Sequence, residues 1–262
     1  MIRSLRTAAS GMEAQQLNID VIANNLANVN TVGFKRSRAE FQDLFYEEIR
    51  SARDTGQDQA EASPMPLEVG QGTRAVATQK LFGQGALLAT NNELDVAIEG
   101  AGFFRIQMAD GTDAYTRNGA FTRDKEGRLV TVEGQALDPP IILPQDTQRV
   151  IIENDGTVKS LQVGTVEPIE VGRIGMTLFT NPAGLESRGH NLYAASEGSG
   201  EPIDGFPGEE GFGGLGQGML EGSNVEVVEE MIDLIAAQRA YEINSRVIQA
   251  ADQMLQETTR LR

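Results

Sequence analysis

The two ends of the chain constrain it most, because each carries a long apolar stripe at helical spacing. Leu5, Ala8, Met12, Gln15, Ile19, Ile22, Leu26 and Val29 step alternately by three and four residues. That is a heptad seam with one polar member, Gln15. Val225, Val228, Ile232, Ala236, Ala240, Ile243, Val247, Ala250 and Met254 form a second seam, whose run of four-residue steps is a stutter. Gly33 stands where a C-cap is expected after the first helix, and Ser223 and Glu226 have capping-box spacing ahead of the second. Gly11 costs about 1 kcal/mol against alanine, so the first helix is weak alone. The spacing predicts helices over residues 1–30 and about 224–261, roughly 42 and 56 Å long. Such seams need partners. Pairing with each other or with other chains is expected, and the small residues Ala8, Ala236, Ala240 and Ala250 permit close axial packing.

The middle reads differently. Phe104, Ile106 and Met108 alternate with polar residues, and Asp110-Gly111, Asn118-Gly119, Glu126-Gly127 and Asp155-Gly156 are hairpin candidates. Leu129 to Val132, Ile141 to Leu143, Val150 to Ile152 and Met176 to Phe179 are strand material. The expected fold class is α+β: long N- and C-terminal helices forming a coiled-coil-like core, with an all-β middle domain of short antiparallel strands. The expected layout is a terminal helical core (1–30 plus 224–262), an intermediate connecting layer (31–75 plus 210–223) and an outer β domain (76–209). Residues 51–75 and 198–222, the latter holding ten of the 29 glycines, read as linker or long loop.

Composition removes most chemistry. Among 262 residues there is no cysteine and one histidine, His190. Disulfides, thiolate nucleophiles, zinc fingers and iron–sulfur sites are therefore excluded. The net charge of −16 argues against nucleic acid and against anionic membrane surfaces. Most of that excess lies in the middle of the chain, while residues 1–50 are neutral overall. No apolar run reaches the roughly 20 residues of a membrane span, and the N-terminus does not read as a cleavable signal.

Gly211 to Gly216 fits G-x-G-x-x-G, but the segment before it is no buried strand. Asp110 to Asp113 is too short for a calcium loop. Glu229, Glu230 and Asp233 read as a solvated helix face, and His190 as a loop residue. Lys35, Arg36 and Arg38 read as an ion-pairing surface. No catalytic, cofactor-binding or metal-binding residue is expected, and no enzyme.

Several segments together carry a resemblance. Asn24 to Arg36 (NNLANVNTVGFKR) and Ser223 to Leu255 resemble the paired terminal signatures of the bacterial flagellar rod and hook family. Asn24, Asn25, Leu26, Ala27, Asn28, Gly33, Phe34, Ser223, Asn224, Gln238, Arg239, Ala240 and Tyr241 carry the match. Asn91 to Ile106 and Gly184 to Tyr193 resemble the middle domain of the longer rod members. Length sets aside the small rod proteins, which lack most of this middle, and leaves the considerably longer hook protein a distant third. Two rod proteins of about this size remain, and Leu67 to Arg74 (LEVGQGTR) favours one of them.

The resemblance implies a structural subunit without cofactors. It implies many copies assembling helically into a hollow, torque-transmitting shaft whose wall lines the export channel. The implied partners are other rod proteins below, the hook protein above, the surrounding P and L rings, a rod-cap protein and the type III export apparatus. Phe41, Leu44, Phe45 and Ile49 are expected to form a packed face that stiffens the rod. The class that competes with this reading is a monomeric secreted binding protein with helical tails. Two long exposed seams argue against it.

Overall fold

The computed structural model describes residues 2–50, 66–164 and 167–260. The chain divides into two compact units, one of residues 1–26, 37–79 and 227–262, the other of residues 27–36 and 80–226. The expected α+β class is present, with one long helix near each end and short antiparallel strands between.

The first unit contains helix α1 (Ile2–Ala27), helix α2 (Val227–Arg260) and two small sheets. In one, Ser37–Asp43 pairs with Thr73–Lys80. In the other, Tyr46–Arg50 pairs antiparallel with Leu67–Gly70. Residues 66–75, expected as linker, are thus largely strand. Residues 51–65 of the expected linker and connecting layer lie outside the described residues. Both helix ends differ from expectation. α1 stops at Ala27, and Gly33 is no cap: it lies six residues further on with φ of 69°. α2 starts at Val227, and Ser223 Oγ instead accepts from the Val225 amide at 3.3 Å in the turn before it.

Among the described residues the second unit is built of strands and loops with one short turn of 3-10 helix. A seven-stranded antiparallel sheet runs in the order Glu186–Gly189, Leu192–Ala194, Asp113–Thr116, Phe104–Gln107, Ala136–Asp138, Leu129–Thr131, Phe121–Arg123. A three-stranded sheet combines Thr147–Ile152, Thr157–Gln162 and Ile169–Arg173. Alternation places Phe104 and Ile106 fully inside while Arg105 and Gln107 face outward, as period-2 patterning requires. Phe104, Phe121, Leu129, Leu137, Ile141, Val158, Ile174 and Leu215 belong to one continuous core.

Three of the four expected hairpin dipeptides turn neighbouring strands, with Gly111, Gly127 and Gly156 at φ between 80° and 85°. Asn118-Gly119 does not, because it joins Thr116 to Phe121, whose strands are not neighbours in the sheet. The glycine-rich segment 198–222 is not a linker either. It supplies the strands Ile203–Gly205, Gly214–Gln217 and Met219–Glu221, each paired with an earlier strand. Glycine content suggested slack, but here it permits tight strand packing. The G-x-G-x-x-G run therefore ends in a strand rather than opening a helix, which a dinucleotide site would need.

Candidate functional site

The helical unit holds its two helices antiparallel, and polar side chains set the register. Asn25 Nδ2 donates to Glu230 Oε2 at 3.2 Å. A Cβ on Gly11 would lie 2.9 Å from Asn244 Nδ2. Moving fourteen positions back along α1 matches fourteen positions forward along α2, so the register holds without a slip over about four turns. Ala8, Gly11, Gln15, Asn18, Ile22 and Asn25 form the buried or half-buried stripe of α1. Glu230, Leu234, Ala237, Asn244, Ile248, Ala251 and Leu255 form that of α2. The steps are heptad steps, as in a coiled coil.

Glu230 thus lies buried, not on a solvated face. Asn25 also holds the chain as it returns: its Nδ2 donates to the Ser37 carbonyl at 2.8 Å and its Oδ1 accepts from the Ser37 amide at 2.9 Å.

This pairing consumes the mixed polar and apolar face of α2. The seam expected from sequence lies on another face and is uncovered in the single chain. Val228 is 71% exposed, Ile232 62% and Ile243 60%. Ala236, Val247, Ala250 and Met254 are exposed too, Ala240 is half-buried, and Val225 is buried ahead of the helix. On α1 the expected positions fare differently. Ala8 and Ile22 are buried, and Leu5, Met12, Ile19, Leu26 and Val29 are partly covered. Two apolar stripes share α2, and periodicity alone does not say which one the partner helix takes. The stripe that is taken carries Glu230 and Asn244, which meet Asn25 and Gly11 of α1, whereas the other stripe is wholly apolar.

Phe41, Phe45 and Ile49 are likewise open, Phe45 at 90%, with only Leu44 half-buried. No described residue of the single chain closes over them into a packed face. Of the signature residues, Gln238, Arg239 and Tyr241 are exposed on α2, whereas Asn25, Gly33 and Phe34 are buried.

The β-rich unit contains a second arrangement, which sequence reading missed. Lys35, expected on a surface, is fully buried and pairs with Glu221 Oε1 at 2.5 Å. Arg117 Nη1 reaches Glu221 Oε2 at 3.3 Å, and its guanidinium lies 5.3 Å from the Phe103 ring centre. Burial pulls both cations below their ordinary pKa, and Glu221 opposes that pull. Gly85 N also donates to Glu221 Oε1 at 2.9 Å. One signal was available in the sequence. Lys35 follows Gly33-Phe34 and Glu221 follows Met219-Leu220, so each charge sits directly after a short apolar stretch. Nothing local, however, links positions 35, 117 and 221.

The remaining candidates carry no reactive geometry. Asp110 Oδ1 accepts from the Thr112 amide at 3.0 Å and hydroxyl at 2.6 Å, which closes a turn and lowers the Asp110 pKa. His190 has a positive φ and sits against Glu133. Arg38 pairs with Glu40 on the surface. No described helix is long and apolar enough to cross a membrane.

Comparison with known proteins converges from every part of the chain. Residues 5–35 match the family model of flagella basal body rod proteins. Residues 97–160 match the D1 domain of the flagellar hook proteins FlgE/F/G, and residues 217–261 the C-terminal model of the basal body rod FlgEFG proteins. The chain is 50% identical to the flagellar basal-body rod protein FlgG of Borreliella burgdorferi over 97% of both chains. It is 47% identical to FlgG of Buchnera aphidicola and 46% to FlgG of Caulobacter vibrioides, in both cases over the full length of each chain.

Proposed function

The chain belongs to the FlgG family of flagellar basal-body rod proteins, and we propose that it is a structural subunit of the distal rod, self-assembling helically into a hollow shaft. The observation that supports this most is the apolar stripe of α2. A stripe of Val228, Ile232, Ile243, Val247 and Met254 left open in the single chain is a surface awaiting a partner of matching character. Repeated copies of the same helix pair supply that partner. The open side chains Phe41, Phe45 and Ile49 extend the same logic to the strands, where contact with a neighbouring copy would complete the stiffening face.

The shaft so built transmits torque from the motor to the hook and forms the wall of the export channel. Its neighbours are other rod proteins, the hook protein, a rod-cap protein and the P and L rings, with delivery by the type III export apparatus. The acidic excess of the β-rich unit keeps that surface hydrated and lowers adhesion to the rings. Charge reversal there, with rod assembly intact, is expected to reduce rotation speed.

Helix pairing that fully buries only one large apolar side chain, Ile22, among the described helix residues leaves the free subunit's termini weak. Residues 5–29 are expected to exchange their amide hydrogens readily in the monomer and to become protected on assembly. The decisive experiment is electron microscopy of the purified protein beside the Ile232→Asp/Ile243→Asp variant. Straight hollow filaments from the parent and none from the variant, with the monomeric β-rich unit unchanged, support the reading. Filaments from both overturn it.

A further inference from the structure

The division of the chain implies four passages between the units, at 26/27, 36/37, 79/80 and 226/227. Within the β-rich unit, the segments next to these passages converge. The Leu81 amide donates to the Arg36 carbonyl at 2.9 Å, and the Gly33 amide to the Glu221 carbonyl at 2.7 Å. Asn224 Oδ1 accepts from the Arg36 amide at 2.7 Å, while its Nδ2 donates to the Leu81 carbonyl at 2.8 Å. Lys35 Nζ donates to the Gly83 carbonyl at 2.8 Å as well as to Glu221. The approach is close: a Cβ on Gly85 would lie 2.1 Å from the Gly222 carbonyl oxygen. Arg117, just beyond the strand Asp113–Thr116, ties the cluster to the seven-stranded sheet through Glu221.

We propose that the buried Lys35–Glu221–Arg117 cluster, with Asn224, is a mechanical clamp that binds the segments entering and leaving the β-rich unit into one base. The chemistry explains why charges are used. An apolar plug of similar volume often matches or exceeds a buried ion pair in stability, so stability alone does not account for the charges. Two cations sharing one carboxylate accept only one arrangement, since any displacement leaves a buried charge unpaired. A single strand linking two units bends under load. Several passages tied together at one point must bend together, and the base resists twist accordingly. The proposal rests on the rod reading for its purpose, though not for its geometry.

Hydrogen exchange on the full-length Glu221→Gln protein tests it. Glutamine keeps the shape and removes the anion. Amides at 33–36, 81–86 and 221–224 are expected to exchange together, about a hundred-fold faster or more, because the pair's removal leaves uncompensated charge. The strands Thr147–Ile152 and Thr157–Gln162 should keep their parental rates. Unchanged protection at the three segments overturns the clamp. So does uniform acceleration across the whole unit, which would make the cluster an ordinary core element. Asn224→Ala removes the bridging bonds without unpairing a charge and should give the same pattern more weakly; independent rates at the three segments would again overturn it. A second measurement addresses purpose. Cells carrying Asn224→Ala are expected to swim normally in thin medium and to lose motility at high viscosity. Normal exchange with lost motility would implicate the rod but not the clamp, whereas joint loosening with normal motility would keep the clamp and remove its role in torque.

Discussion

The two units spend their apolar residues in opposite ways. In the β-rich unit Phe103, Phe104, Phe121, Ile98, Ile106, Leu129 and Leu137 are all buried. In the helical unit the described buried apolar residues are Ala8, Ala14, Ala39, Ala237, Ala251 and a single large one, Ile22, while its isoleucines, valines and methionines mostly face out. The first arrangement is a finished core. The second is a scaffold of partial contacts and side-chain hydrogen bonds, in which, Ile22 apart, the described large residues are at most partly covered in one chain. A domain stable by itself and a domain completed by its copies can therefore be told apart by where the large side chains go, not by how many there are.

The sharpest way to break this contrast is to truncate one large residue in each unit. Phe104→Ala removes a fully buried ring and should cost about 3–5 kcal/mol in urea unfolding. Ile243→Ala should change monomer stability by less than about 0.5 kcal/mol while weakening filament formation. Equal losses from both would mean that the helical unit already has a core of its own.

The next effect concerns the polar contacts that stand in for a core. Asn25→Ala removes three hydrogen bonds, two to the Ser37 backbone and one to buried Glu230. At about 1 kcal/mol each, the loss should be about 2–3 kcal/mol, read as melting of the helical signal in far-UV circular dichroism. The β-rich unit, followed by its buried tyrosines, should melt as before. A somewhat smaller cost, about 1–2 kcal/mol, is expected for Gly11→Leu, whose side chain must displace that of Asn244.

These residues also show how far sequence alone reaches. The heptad spacing gave away both helices and the alternation gave away the β middle, because each is a local consequence of burial on one face. The face that α1 would choose on α2 was not legible. Two stripes compete there, and the one taken is marked by its polar members Glu230 and Asn244, to which a search for apolar periodicity is blind. Glu230 and Lys35 were misjudged for a related reason. A charged residue reads as exposed until its partner is known, and those partners lie more than 180 residues away along the chain. The glycines of 198–222 misled in the opposite direction, since close packing and slack draw on the same residue. The terminal signature did point to Asn25 and Asn224, whose side-chain bonds hold chain segments that no local pattern connects.

The smallest effect at neutral pH belongs to Tyr193, beside the clamp. Burial, reinforced by Glu221 and partly offset by Arg117, pushes its phenol up to about 12 from 10.0. The folded protein therefore keeps a proton that the unfolded chain releases near pH 10. Stability from this group is fully present below that pH and is lost as pH rises through about 12. Lys35 runs the other way, because a cation pulled below its ordinary value becomes less costly to bury as it deprotonates. Tyr193→Phe should thus leave neutral stability nearly unchanged, flatten the alkaline loss above pH 10, and remove one late step from the ultraviolet phenolate titration. An unaltered titration would place the late tyrosine elsewhere. Since Tyr46 and Tyr241 of the helical unit are exposed, its helical signal should not follow that step, and the alkaline limb should separate the two units in a single intact chain.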